Sequence, residues 1–156
     1  MEQQLNEAEV WARVRAASAR LPQTMTAAET NDDPFAQMLQ QANQITDTYR
    51  RLLQQTRGEP QRQLRQLWED SCRQRRLLAA IAYVTTGSAA LPPAASVLPM
   101  LPVQALLRQL CSLTVRQAEA YSRAAENSPF AQQFHSLHAA TCRTIPLLLS
   151  MLGRYL

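Results

Sequence analysis

Between Gly87 and Leu101 the chain runs through 15 residues that include Pro92, Pro93 and Pro99. Proline removes a backbone donor and clashes with the preceding turn, so no regular helix crosses this stretch. On either side lie two long segments whose apolar residues recur every three or four positions, the spacing of one helix face. Within each flank only a few residues separate the two segments, which predicts an antiparallel hairpin. The link between the flanks is different. Extended at about 3.1 Å per residue it reaches roughly 45 Å, and a helix of about 26 residues measures roughly 39 Å. It is long enough to return along the whole bundle, which would leave the second and third long helices parallel. The sequence therefore predicts an all-α, antiparallel four-helix bundle with a long crossover. Residues 1–32 form a leading helix and linker, and residues 33–156 form the bundle.

Five helices are expected. The leading one, α1, spans about Glu7 to Leu21 with Val10, Trp11, Val14 and Ala17 at helical spacing. Trp11 is its expected anchor, onto the bundle or onto a second subunit. The polar stretch Gln23 to Asp33 links it to α2, which opens at Asp33-Pro34, a capping residue followed by Pro at the first helical position. Its stripe is Phe35, Met38, Leu39, Ala42, Ile45, Tyr49, Leu52 and Leu53, and Gly58 ends it. Helix α3 runs from about Pro60 to Thr86, with Leu64, Leu67, Trp68, Ser71, Leu78, Ile81 and Ala82 inward and Gly87 as its stop. Helix α4 follows Pro102 and turns Val103, Leu106, Leu110, Leu113, Thr114, Ala118, Tyr121 and Ala125 to one face. Ser128-Pro129 repeats the cap-plus-Pro pattern and opens α5. That helix points Phe130, Phe134, Leu137, His138, Thr141, Ile145, Leu148 and Leu152 inward, with Pro146 expected to bend it.

Composition narrows the function classes. The net charge is +4, and all 16 basic residues are Arg with no Lys. Complete replacement of Lys by Arg reads as a genome-wide coding bias rather than selection for an anionic ligand. Cys72, Cys111 and Cys142 form no CxxC pair. The polar, acidic start Met1 to Glu7 is unlike a signal peptide, and no apolar run approaches the roughly 18 residues that cross a bilayer. A cytoplasmic setting away from the membrane, with reduced thiols, is expected.

The two hairpins resemble copies of one another. Tyr49-Arg50-Arg51 in α2 matches Tyr121-Ser122-Arg123 in α4, and Ser71-Cys72-Arg73-Gln74 in α3 matches Thr141-Cys142-Arg143-Thr144 in α5. Two related hairpins joined by a long crossover is the ferritin-like plan. Together with Trp11-Ala12-Arg13-Val14, the Ala82 to Gly87 end of α3 and Ala120 to Glu126 in α4, this order resembles the rubrerythrin-like members of the ferritin-like superfamily. The likeness is to short bacterial members with an added N-terminal helix. In that family a Glu lies seven residues before the Tyr on the first and third bundle helices. A Glu-x-x-His lies on each of the other two, and the six side chains bind two irons for peroxide or oxygen chemistry. Carried over by position, the resemblance places Ala42 and Thr114 at the first two sites. Ser71 with Gln74, and Thr141 with Thr144, stand where the Glu-x-x-His pairs belong. Methyl, hydroxyl and amide groups neither neutralise nor tightly bind such a centre. Glu69, Asp70 and Glu119 lie nearby in sequence, but a helix turns them about 100–200° from the stripe, so solvent is their expected environment.

The resemblance thus implies a degenerate member, without catalytic residues, metal or cofactor, that acts as a structural or interaction protein and forms a homodimer. Two other readings compete. His138 and Cys142, four residues apart on one helix face, would with Cys72 offer a thiolate-imidazole zinc or redox site. Used as nucleophile and base, the first two would also need an orienting group and a cleft. The blander expectation is a hydrogen-bonded core His beside packed thiols. Eight arginines between Arg50 and Arg76 would offer a phosphate-tracking face, but no aromatics interleave them for base stacking, so a solvated helix face is preferred. One of Arg73, Arg75 and Arg76 is expected to fill space at the former metal position. Tyr49 and Tyr121 are expected in the core, placed for a hydrogen bond across the bundle.

Overall fold

A computed structural model describes residues 10–12, 34–87 and 100–156, and every regular element among them is helical. The Asp33 cap, most of α1 and the crossover 88–99 lie outside the described residues. Helix α2 spans Pro34–Gln55, α3 Gly58–Thr86, α4 Val103–Asn127 and α5 Ala131–Arg154. Pro34 heads α2, where its missing N–H leaves no ladder bond unmade. Gly87 stops α3 as expected: at φ 75° it sits in the left-handed region and its N–H bonds the Tyr83 carbonyl.

Two boundaries move. Gly58, at φ 68°, makes the turn after α2 and is also the first residue of α3, two residues ahead of Pro60. Ser128 caps a turn instead of the helix. Its hydroxyl accepts the Phe130 N–H at 3.1 Å, its carbonyl accepts the Ala131 N–H, and α5 proper begins only at Ala131. Pro146 lies inside α5, and the helix continues through it to Arg154.

The core is split into two apolar clusters, and their membership fixes the topology. One joins the start of α2 (Met38, Leu39, Ala42), the end of α3 (Leu78, Ile81, Ala82), the end of α4 (Tyr121, Ala125) and the start of α5 (Phe130, Phe134, Leu137). The other joins the end of α2 (Ile45, Tyr49, Leu52), the start of α3 (Leu64, Leu67), the start of α4 (Leu106, Leu110, Leu113) and the end of α5 (Leu148, Met151). Hence α2 and α3 are antiparallel, α4 and α5 are antiparallel, and α3 runs parallel to α4. Thr86 and Val103 lie at opposite ends of the bundle, the arrangement that the loop arithmetic allowed.

Each fully buried Leu in these clusters contributes on the order of 1.5–3 kcal/mol of transfer free energy. Val10, fully buried in the first cluster, and Trp11, half-buried against it, seat the described turn of α1 on the bundle. Val10, not Trp11, is the deeper anchor. Helix α2 packs against α3 and α4, and α4 packs against α5; of the neighbouring pairs, α3 and α5 are in least contact. That loose side matters for the site.

Candidate functional site

Between the two apolar clusters, at the middle of the bundle, lies a cavity of about 30 Å³. All six positions singled out by the resemblance line it: Ala42 from α2, Ser71 and Gln74 from α3, Thr114 from α4, Thr141 and Thr144 from α5. They come from four helices and are spread over about a hundred residues of sequence, so their convergence is a consequence of the fold alone. Ala42, Thr114 and Thr141 are buried; Ser71, Gln74 and Thr144 are half-buried, on the two helices that pack least closely. The cavity is therefore closed by α2 and α4 and opens towards the α3–α5 side.

The hydroxyls of this wall use their protons locally. Thr114 donates to the Leu110 carbonyl at 2.6 Å, Thr141 to Leu137 at 2.7 Å, Thr144 to Ala140 at 3.1 Å and Ser71 to Trp68 at 2.7 Å. Such back-bonding leaves each oxygen with lone pairs only. One lining residue escaped the sequence reading. Gln117, only 3% exposed, donates through Nε2 to the Tyr121 hydroxyl, and its Oε1 is buried without a protein partner. The signal was present, since Thr114, Gln117 and Tyr121 continue one stripe in steps of three and four.

Tyr121 therefore bonds a residue one turn away on its own helix, not Tyr49 across the bundle. Burial pushes its phenol up to about 12, partly offset by the Gln117 bond. Burial raises Tyr49 as well, with smaller contributions from Cys111 and Asp70.

Two charges reach the rim. Asp70, expected to be solvated, is half-buried and lines the cavity, where its carboxylate pairs with Arg73. Its position one residue from the stripe suffices because α3 lies beside the open side of the bundle. Glu69 and Glu119 are exposed, as expected. Arg75 also lines the cavity, its Nη1 donating to Asn43 Oδ1 at 3.3 Å, whereas Arg73 and Arg76 are exposed. A guanidinium thus reaches the cavity from the rim without filling it.

The competing sites assemble less well. His138 is half-buried, and its Nδ1 lies 2.8 Å from the Ala118 carbonyl of α4, a contact that makes Nδ1 the protonated nitrogen. The exposed Cys142 sulfur lies 3.5 Å from Nε2 and 4.0 Å from Nδ1. The orienting group missing from the sequence is thus a backbone carbonyl. Cys72 does not complete a metal site, for among the described residues no three His, Cys, Asp or Glu side chains gather as one. The arginines are largely engaged by their own helices. Arg50 and Arg51 both pair with Asp47, Arg62 pairs with Glu59, and Arg57 donates to the Thr56 carbonyl. Comparison with family models, with curated proteins and with solved structures found no match to this chain.

Proposed function

We propose that this chain is a ferritin-like bundle that has lost its di-iron chemistry and works as a structural or interaction protein that pairs with a second copy. One observation carries the reading. Six residues chosen by sequence register line a single cavity between four helices, and together they present one methyl, four hydroxyls and one amide. Iron in such a site needs carboxylates to balance its charge and imidazoles to complete its coordination. The nearest carboxylate, Asp70, is already paired with Arg73, and Arg75 brings a further positive charge to the same rim. The parallel arrangement of α3 and α4 further supports the ferritin-like plan. No helix among the described residues is long and apolar enough to cross a membrane.

The test is to restore what the reading says was removed. A variant carrying Ala42→Glu, Ser71→Glu, Gln74→His, Thr114→Glu, Thr141→Glu and Thr144→His is expected to take up two Co(II) per chain, with visible absorption bands and helical content like the parent's. A variant that keeps the helical content yet binds no cobalt would show that these positions do not form a metal-competent set, and the derivation would fail.

A further inference from the structure

The chemistry of the central cavity identifies its occupant. Four lining hydroxyls have donated their protons to their own helices, and Gln117 adds a buried carbonyl oxygen with no protein partner. No proton is left among these five groups, so the Gln117 oxygen needs a donor from elsewhere. A buried amide oxygen left unbonded has lost its water without compensation. Turning the amide over changes only which end is orphaned. Tyr121 can then donate to the oxygen, and the NH2 group faces the cavity instead. In either orientation one end of Gln117 needs a guest, and in the orientation described here that guest must supply protons.

Charge and size restrict it further. A bare cation would enter a wall without a free carboxylate, beside the Arg75 guanidinium, and desolvation would go unrepaid. An anion would meet oxygen lone pairs from Ser71, Thr114, Thr141 and Thr144, while Arg75, the one cation at the rim, already donates to Asn43. A volume of about 30 Å³ exceeds the roughly 10–15 Å³ needed for one water and excludes most organic molecules. We propose that the cavity is a binding site for neutral water, about two molecules, held between Gln117 and the threonine hydroxyls of α4 and α5. The water then forms part of the folded structure, coupling α4 to α5 where the helices make no direct polar bond through these residues. This goes beyond the preceding reading and does not depend on it. Only the present wall matters to it, whatever its ancestry.

The experiment is water–protein cross-relaxation NMR on the full-length, isotopically labelled protein. The Thr114 and Thr141 methyls and the Gln117 side-chain amide are expected to show cross-peaks to water. Their laboratory-frame and rotating-frame signs should be opposite, as for water residing longer than nanoseconds. In Gln117→Met, which removes both amide ends at similar volume, the Thr114 and Thr141 methyl cross-peaks to water should vanish while the helical content and the amide spectrum of distant residues persist. Absence of water cross-peaks at all three sites in the parent would overturn the proposal. So would their undiminished persistence in Gln117→Met. Addition of Mn(II) separates water from a cation: resonances around Gln117 should remain sharp, and selective broadening there would mean that the cavity takes a metal instead.

Discussion

Alkaline solution is an unusually clean perturbation for this protein. The chain has no Lys, and Arg stays protonated throughout, so between pH 10 and 12 tyrosine dominates the titration. The phenol of Tyr121 is fully buried and held up to about 12, from an unfolded value near 10. At pH 11 the unfolded chain has released this proton and the folded one has not. Unfolding therefore releases protons, and stability must fall as pH rises. The contribution is fully present below pH 10 and is lost as pH climbs towards 12. Two units at about 1.4 kcal/mol each give a loss of about 3 kcal/mol for Tyr121 alone. Tyr49, raised in the same direction by burial, adds to it. Against a typical domain stability of about 5–15 kcal/mol this is a large fraction.

The assay is urea unfolding followed by circular dichroism at pH 8, 10, 11 and 12, with tyrosinate absorbance read in parallel. Tyr121→Phe is expected to lower the starting stability, because Gln117 loses its partner, but to flatten the slope between pH 10 and 12. A parent whose stability is constant over that window would refute the reasoning. A slope unchanged in Tyr121→Phe would place the titrating group elsewhere.

The three thiols should separate by reactivity. Cys142, exposed beside His138 Nε2, should react first with a disulfide reagent such as dithionitrobenzoate. Cys111, whose pKa burial raises, should lag and accelerate as pH climbs above its ordinary range; mass mapping of partly labelled protein reports the order. In the core, Phe134 is fully buried against the Tyr121 and Phe35 rings at centroid distances of 6.2 and 6.3 Å. Phe134→Ala should cost about 3–5 kcal/mol in a denaturant melt, while Leu147→Ala, at a position 52% exposed, should cost less than about 0.5 kcal/mol.

What the sequence displayed and what it hid divide along physical lines. The stripes were legible because helix burial imposes a period of 3.6 on apolar residues, and Leu110, Phe134 and Leu148 obey it. Short loops within each hairpin and a link long enough to span the bundle made a parallel α3 and α4 legible, and the two core clusters have that arrangement. Buried polar residues carried no such mark. Thr46 and Thr48 are buried with their hydroxyls on the Asn43 and Gln44 carbonyls, a local solution that needs no distant partner and so leaves no long-range pattern. Gln117 was missed because Gln was counted as polar surface, although its place in the stripe between Thr114 and Tyr121 marked it as interior. Asp70 keeps a solvent-exposed carboxylate and still reaches the cavity rim, for a related reason. Helical phase gives the direction of a side chain but not how closely the next helix packs, and here α3 and α5 are the neighbours in least contact. Helix starts drifted for a third reason. Gly58 is legible as the stop of α2 and Ser128 as a cap, but which side of the turn resumes the helix depends on tertiary docking.

The most direct measurement is the metal content of the unmodified protein, produced in iron-supplemented cells and gel-filtered after mild chelation. A bundle whose central wall consists of hydroxyl, amide and methyl groups should carry far less than one iron, manganese or zinc ion per chain. A stoichiometric pair of transition metals in the retained protein would contradict the account at its centre.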